Sequence, residues 1–218
     1  MADQKRADTY YDEEASVYSQ KRYPARAQNY VHFLFTRRRA LLLGMLAKAI
    51  AGTKEPRTLL EVGCADGVLL RSIAAAYPNA FAHMLGIDVA EPMIAMARKM
   101  TTEPGIEYKM RDELPHTGAF SVVLEIGVAA LVHDTAGELG ILGNQLESGG
   151  YLLCSFGAKS SIAARMEKGA GRRSELKTYA EYEAAMHKHF TVVKKIPYGI
   201  YVPLLWKVPA LARVLQPS

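Results

Sequence analysis

The feature that most constrains the fold is a short turn with a glycine at each end, set between two apolar runs. Residues 58–70 read TLLEVGCADGVLL, with the turn at 63–67. The apolar residues before the turn predict a β-strand, and the spacing of those after it predicts the start of an amphipathic helix. Glycines let the backbone bend sharply and come close to a ligand. The stretch therefore predicts a strand, a turn and a helix that hold a ligand at the carboxyl end of the strand.

The spacing of these glycines argues against a dinucleotide site. Counted from Gly63, the G-x-G-x-x-G fingerprint of NAD-binding proteins would need glycines where the chain has Ala65 and Val68. The pattern present is E-x-G-x-x-x-G, from Glu61 through Gly63 to Gly67. An NAD-dependent oxidoreductase is therefore disfavoured.

A second predicted strand places a carboxylate close to this turn. Residues 83–89, HMLGIDV, predict a strand that ends at Asp88, 21 residues after Gly67. A carboxylate at this strand end can accept hydrogen bonds from both hydroxyls of a ribose. Strands that alternate with helices predict a mostly parallel sheet covered on both faces. The further strands are predicted at 106–110, 120–126 and 146–155.

This succession resembles the class I S-adenosylmethionine-dependent methyltransferases of the small-molecule type. Their first motif is usually written D/E-x-G-x-G-x-G, and the later motifs follow in register over residues 57–156. The pair RD at 111–112 stands at the family's G-D pair, FSVVLEI resembles F-D-x-V, and LESGGYLL resembles L-x-P-G-G-x-L. The departures from the family pattern are Ala65, Arg111, Ser121 and Ser148.

The resemblance implies an α/β fold, a three-layer sandwich with helices on both faces of the sheet. The sheet is expected to have seven strands, mostly parallel, with an antiparallel terminal strand. Residues 191–196 and 200–206 are the expected last two strands. Residues 1–52 are expected to form an N-terminal helical lid, and residues 53–218 a Rossmann-like methyltransferase domain, within a single globular domain overall.

The resemblance also implies S-adenosyl-L-methionine as cofactor and S-adenosyl-L-homocysteine as product. Residues 61–67 would frame the amino acid part, Asp88 the ribose, Val89 and Met93 the adenine face, and Asp112 the adenine amine. The backbone at Glu125 would hold the methionine amino group, and one interpretation leaves its carboxylate in solvent. The expected cofactor-binding residues are Glu61, Gly63, Cys64, Ala65, Gly67, Asp88, Val89, Met93, Asp112, Glu113, Glu125 and Ile126.

Two residues are candidates for catalysis. His133 lies in GVAALVHD, residues 127–134, and resembles a histidine that follows the fourth strand in many small-molecule relatives. It is either a general base or a helix-start histidine bonded to backbone. Tyr18 ends DEEASVY, which resembles the F-D-x-x-A-x-x-Y entry of such relatives, and is either a lid residue or a packing residue.

Several classes of function are disfavoured by absent patterns. The loop at 127–134 lacks the D/N/S-P-P-F/Y/W and Pro-Cys motifs of enzymes that methylate nucleic-acid bases, so no nucleic-acid partner is expected. No metal is expected, because His and carboxylates do not cluster at ligand spacing. Cys64 and Cys154 are interpreted as buried small hydrophobes rather than a disulfide or a nucleophile, which suits a cytoplasmic protein.

The C-terminal part leaves the partner open. From residue 158 onward the chain has 11 Lys and Arg against 4 Glu, which suits an anionic partner or a solvated surface. Residues 201–215 read YVPLLWKVPALARVL. Three interpretations stay open for this segment: core and edge strand, the wall of an apolar substrate pocket, or a peripheral membrane contact. A homodimer is also left open.

The sequence as a whole predicts a methyltransferase that modifies an O or N atom of a small molecule with aromatic or lipophilic character. Two alternatives stay open. One is a non-catalytic S-adenosylmethionine-binding partner subunit, and the other is a membrane-surface methyltransferase of lipids or glycans.

Overall fold

The computed structural model describes residues 14–27, 29–114, 116–159 and 176–198. Its five strands are β1 (Thr58–Val62), β2 (His83–Asp88), β3 (Ile106–Met110), β4 (Phe120–Ile126) and β5 (Leu146–Ser155). They form one sheet in the order β3-β2-β1-β4-β5, and each neighbouring pair is parallel. The strand β1 lies at the centre and is almost wholly buried, as expected for a parallel strand covered on both faces.

The order of the strands creates a crevice beside β1. From β1 the chain moves outward to β2 and β3, and then returns to place β4 on the other side of β1. The loops that follow β1 and β4 therefore leave the sheet in opposite directions. Ligands bind at such a switch point in open α/β sheets, outside the carboxyl ends of the strands.

Helices cover both faces of the sheet. On one face Leu42 and Leu46 join a core with Leu59 and Leu124, and on the other Leu139 packs with residues of β1 and β4. The described helices are α1 (Tyr18–Arg22), α2 (Tyr30–Gly52), α3 (Val68–Ala76), α4 (Glu91–Met100), α5 (Thr135–Gln145) and α6 (Tyr179–Met186). The helices α2, α3 and α4 contribute to the first core, and α5 and α6 to the second.

Capping side chains fix where the two helices of the second face begin. The Asp134 carboxylate accepts a hydrogen bond from the Gly137 N–H at 3.0 Å at the start of α5. Thr178 and Glu181 form a capping box at the start of α6, each side chain accepting from the other's backbone N–H. The loop at 127–134, which precedes α5, is thereby held at the carboxyl end of the sheet.

The expected seven-stranded sheet with an antiparallel terminal strand is wrong. The sheet in the described residues has five strands, all parallel. Residues 191–196 form no strand: Val193 is 79% exposed, and Lys195 forms an ion pair with Glu183 of α6. The other expected strand, 200–206, and the apolar segment 201–215 lie outside the described residues.

The N-terminal part is described from residue 14. A short 3-10 turn, Ala15–Val17, leads into α1, and both lie against the carboxyl end of the sheet. Two other 3-10 turns follow strands, Arg111–Glu113 after β3 and Ala129–Leu131 after β4. None of the helices in the described residues is both long and apolar enough to cross a membrane.

Candidate active site

The glycine-bounded turn follows β1 and is anchored to the end of β2. The backbone N–H groups of Gly63 and Cys64 both donate to the Ile87 carbonyl, at 2.8 and 3.0 Å. Gly63, Ala65 and Gly67 all adopt positive φ, at +74°, +49° and +76°. The turn therefore winds through the left-handed region three times, which glycine tolerates and alanine does not tolerate easily.

Both glycines of the turn are also required by packing. A Cβ on Gly63 would overlap the side chain of Val128, and a Cβ on Gly67 would overlap the hydroxyl of Tyr108. The sequence analysis attributed these glycines to the sharp bend of the backbone and to the close approach of a ligand. The structure adds that protein side chains from the loop after β4 and from β3 occupy the space beside them.

Asp88 ties the turn to the second strand. One carboxylate oxygen accepts from the Ala65 N–H at 2.9 Å, and the other accepts from the Ala90 N–H at 3.0 Å. Burial raises the pKa of Asp88, while these backbone hydrogen bonds lower it. Each carboxylate oxygen can accept a second hydrogen bond, so both ribose hydroxyls of a nucleoside could still be bound.

Glu61 is buried beneath the turn. Its side chain is 1% exposed, and its Oε2 atom has no hydrogen-bond partner within the described residues. Burial raises the pKa of Glu61 well above its usual value; the charge of Asp88 adds to this effect and that of Arg38 opposes it. An unpaired buried carboxyl is costly, and a cationic ligand group would remove the cost.

The N-terminal turn and α1 lie over this region. Ala15 and Tyr18 pack against Ala65 and Met93. Ser19 donates from both its N–H, at 3.1 Å, and its hydroxyl to one oxygen of the buried Asp66. The structure therefore brings Tyr18 to the turn.

Residues expected around an adenine differ in accessibility. Val89 is 47% exposed, whereas Met93 is buried under the N-terminal turn. Asp112 and Glu113 are exposed in the 3-10 turn after β3. Glu113 already accepts a hydrogen bond from the Met110 N–H at 2.7 Å, so its carboxylate holds the turn. Val89 and Asp112 are the more available of the four.

Glu125 is the penultimate residue of β4, and its carboxylate is buried, so the interpretation that leaves this carboxylate in solvent is wrong. Its side chain is 2% exposed on the face covered by α5. Burial raises the pKa of Glu125 to about 7, and the charge of Glu138 contributes while that of Arg111 opposes. Arg111 binds both oxygens of Glu138 at 2.6 and 2.7 Å. Arg111, which departs from the family pattern, thus anchors β3 to α5.

Three other expected residues are Ile126, His133 and Cys64. Ile126 packs into the core on the α2 face. His133 is exposed just before α5, and its carbonyl accepts from the Lys177 ammonium at 3.0 Å. Cys64 is buried, and burial raises the pKa of its thiol well above its usual value. Both cysteines are free thiols in the structure.

Sequence reasoning missed Arg38, a partly buried cation in the site. Its guanidinium donates to the Tyr23 hydroxyl at 3.2 Å and lies over the ring of Phe35. The signal was present in the spacing, because residues 38, 42 and 46 lie on one face of a helix and the latter two are leucines. Within the part of the chain that the structure describes, no His, Cys, Asp and Glu group could hold a metal ion.

Comparisons with known proteins identify a family for this sequence and similar folds among solved structures. The sequence model of a family described as "Methyltransferase domain" matches residues 30–195. No curated protein sequence matches the chain. The magnesium protoporphyrin IX methyltransferase from Synechocystis PCC 6803, solved with bound S-adenosylhomocysteine, has a TM-score of 0.61 at 18% identity, covering 85% of this chain and 88% of that one.

Two further solved structures are similar. A chain in the complex of the Haloferax volcanii Trm112 methyltransferase activator has a TM-score of 0.61 at 17% identity, covering 82% of this chain and 75% of that one. The S-adenosylmethionine-dependent methyltransferase from Mesorhizobium loti has a TM-score of 0.58 at 18% identity, with coverages of 78% and 91%. At these identities the likeness shows a shared fold.

Proposed function

The chain belongs to the methyltransferase-domain family, and we propose that it transfers a methyl group from S-adenosylmethionine to an oxygen or nitrogen of a small acceptor. The observation that carries the proposal is the link between the turn after β1 and Asp88. The Ala65 N–H and the Asp88 carboxylate are 2.9 Å apart at the switch point of the sheet. This link supports a site for a ribose beside a site for a charged group.

The buried charges support the same cofactor. Glu61, with its unpaired oxygen, would bind the ammonium group of the methionine part. Asp88 would accept hydrogen bonds from the ribose hydroxyls, and the exposed Val89 would cover one face of the adenine. The backbone of the turn would pass beside the chain that joins these groups, which its three left-handed residues permit.

When bound, the cofactor supplies a methyl group on a positively charged sulfur. The acceptor atom would form a bond to the methyl carbon as the carbon–sulfur bond breaks, and the sulfur would leave as a neutral thioether. The protein's task is then to hold the two reactants in line at about 3 Å. Tyr18 and Ser19, which lie over the turn, would keep water from this place. Few catalytic side chains are needed, so the cofactor site is more readily recognised than the acceptor site.

Apolar side chains near the loop after β4 support an acceptor with an aromatic or lipophilic part. Leu131 and Tyr179 each leave 44% of their surface exposed. Phe156, next after β5, stacks on Tyr182 with 3.9 Å between ring centroids and lies 6.2 Å from Tyr179. The Tyr182 hydroxyl donates to the Ala129 carbonyl at 3.5 Å, which joins this aromatic cluster to the loop.

We assign the general base to His133, in the same loop. An imidazole nitrogen would accept the proton that the acceptor hydroxyl or amine loses as its oxygen or nitrogen is methylated. Histidine suits this exchange near neutral pH. Lys177, which donates to the His133 carbonyl, would hold the loop backbone in place.

Calorimetric titration with S-adenosylmethionine, S-adenosylhomocysteine and NAD tests the proposal. We expect micromolar binding of both adenosyl compounds and none of NAD. Acceptors are then screened by the gain of one methyl mass. A chain that binds neither adenosyl compound would overturn the proposed function.

Asp88→Ala is expected to weaken the binding of S-adenosylhomocysteine by about 1 to 3 kcal/mol, because charged hydrogen bonds to the ribose are lost. Asp134→Ala is the matched control, since its carboxylate also accepts from a backbone N–H but lies at the start of α5. It should bind S-adenosylhomocysteine like the wild type. Unchanged affinity in Asp88→Ala would remove the ribose assignment.

A further inference from the structure

We propose that Arg38 binds the carboxylate of the methionine part of the cofactor, while Glu61 binds its ammonium group. The inference rests on the proposed function and adds to it a residue from α2, outside the glycine turn. The two side chains together would recognise the amino acid end of the ligand as a zwitterion.

Arg38 is a cation without a counter-ion among the residues that the structure describes. Its Nε atom is fully enclosed and has no hydrogen-bond partner among the described residues. Its recorded hydrogen bond goes to a neutral group, the Tyr23 hydroxyl, at 3.2 Å. None of the ion pairs formed by the described residues includes Arg38. Burying a guanidinium without an anion is costly, and an anionic ligand group would offset that cost.

The position of Arg38 directs it to the crevice beside β1. Its Nη1 atom lies 2.7 Å from where a Cβ on Gly127 would stand. Gly127 directly follows β4, and Val128 next to it packs against Gly63 of the turn. The guanidinium therefore reaches the place where the loops after β1 and β4 meet, which is the switch point of the sheet.

Glu61 supplies the opposite charge in the same place. The charge of Arg38 lowers the otherwise raised pKa of Glu61, so the two groups are close enough to interact. They do not form an ion pair with each other, and each keeps an enclosed polar atom without a partner. The protein thus holds a carboxylate and a guanidinium near each other without a direct ion pair. This pair is complementary to the methionine part of the ligand, which carries an ammonium and a carboxylate on one carbon.

The packing of α2 holds Arg38 in this orientation. Arg38 lies on the same helix face as Leu42 and Leu46, which are buried against the sheet. Its guanidinium lies over the Phe35 ring at 4.4 Å from the centroid. The neighbouring Arg39 lies instead over the Tyr23 ring, at 5.3 Å. Arg39 thus offers a matched control of the same residue type, one position along.

The test compares two ligands that differ by the carboxylate alone. S-adenosylmethionine and decarboxylated S-adenosylmethionine are titrated into the wild type, Arg38→Met, Arg38→Lys and Arg39→Met by calorimetry. We expect Arg38→Met to bind S-adenosylmethionine about 10- to 100-fold more weakly, since a charged hydrogen bond is lost. It should bind the decarboxylated compound like the wild type. Arg38→Lys should keep part of the affinity, and Arg39→Met should keep all of it.

Two results would overturn the inference while leaving the proposed function intact. Equal weakening of both ligands in Arg38→Met would mean that Arg38 shapes the site without contacting the carboxylate. Unchanged binding of S-adenosylmethionine in Arg38→Met would mean that Arg38 does not bind the carboxylate of the methionine part. Failure of the wild type to bind either ligand would instead overturn the proposed function itself. Circular dichroism checks that each variant is folded.

Discussion

A single residue, Ala65, shows how a chain can depart from a motif and keep the geometry that the motif serves. Ala65 stands at the position of the middle glycine in the motif that this stretch resembles, yet it adopts φ +49° and its N–H donates to Asp88. The left-handed conformation costs an alanine about 1 to 2 kcal/mol. The pattern of glycines predicted the turn correctly, but it could not reveal that Val128 and Tyr108 pack against Gly63 and Gly67, since those contacts join distant parts of the chain.

Gly67→Ala is expected to lower the free energy of unfolding by about 2 to 4 kcal/mol, because the new Cβ is strained and overlaps the Tyr108 hydroxyl. Gly149→Ala is the matched control. Gly149 has φ +83° with no atom within 4 Å of its Cβ position, so only the strain of about 1 to 2 kcal/mol applies. Urea denaturation measures both losses. Equal losses in the free energy of unfolding would show that the overlap with Tyr108 adds nothing to the cost of Gly67→Ala.

The elements of the sheet were largely predictable, and the final strand was not. The predicted strands at 106–110, 120–126 and 146–155 are confirmed as β3, β4 and β5. The apolar run of β4 is buried on both faces of the sheet, as expected for a parallel strand covered by helices on both sides. Residues 191–196 have the composition of a strand but lie exposed beside α6, where Lys195 pairs with Glu183. Local strand propensity is weak and depends on a neighbouring strand to pair with.

The placement of α1 over the turn depends on two polar residues that the sequence analysis did not single out. Ser19 and Asp66 are 47 positions apart, and no local pattern links them. Tyr18, a candidate from the sequence, lies beside the same contact. The attachment of α1 to the turn could therefore be seen only in the structure.

Ser19→Ala is expected to speed the dissociation of S-adenosylhomocysteine about fivefold, because the loss of the hydroxyl removes about 1 kcal/mol from the contact that holds α1 over the turn. Stopped-flow displacement measures this rate. Ser72→Ala is the control, since the Ser72 hydroxyl donates to Val68 within α3 and does not touch α1. A dissociation rate equal to the wild type would show that α1 does not retain the ligand.

In the molecule as a whole, two buried carboxyl groups lie near the ends of neighbouring strands but on opposite faces of the sheet. Glu61 lies on the same face of the sheet as Leu59, the face of α2, and the charge of Arg38 opposes the rise in its pKa. Glu125 lies on the face of α5, near the pair of Arg111 and Glu138. Composition and spacing could not predict on which face each carboxyl group lies, because in the sequence both residues are simply acids near the end of a predicted strand. Glu125 therefore bears on the stability of the fold, whereas the role proposed for Glu61 is in binding.

Glu125→Gln is expected to flatten the dependence of stability on pH. The pKa of Glu125 in the folded protein is about 7, above its ordinary value of 4.5, so the folded state holds this proton more firmly than the unfolded state. Its contribution is complete below pH 4.5 and is lost as the pH rises through 7. Between pH 5 and 8 the wild type should therefore lose up to about 3 kcal/mol relative to Glu125→Gln. Urea denaturation of both proteins across this range measures the difference, and parallel curves would show that burial beside Glu138 does not hold the proton.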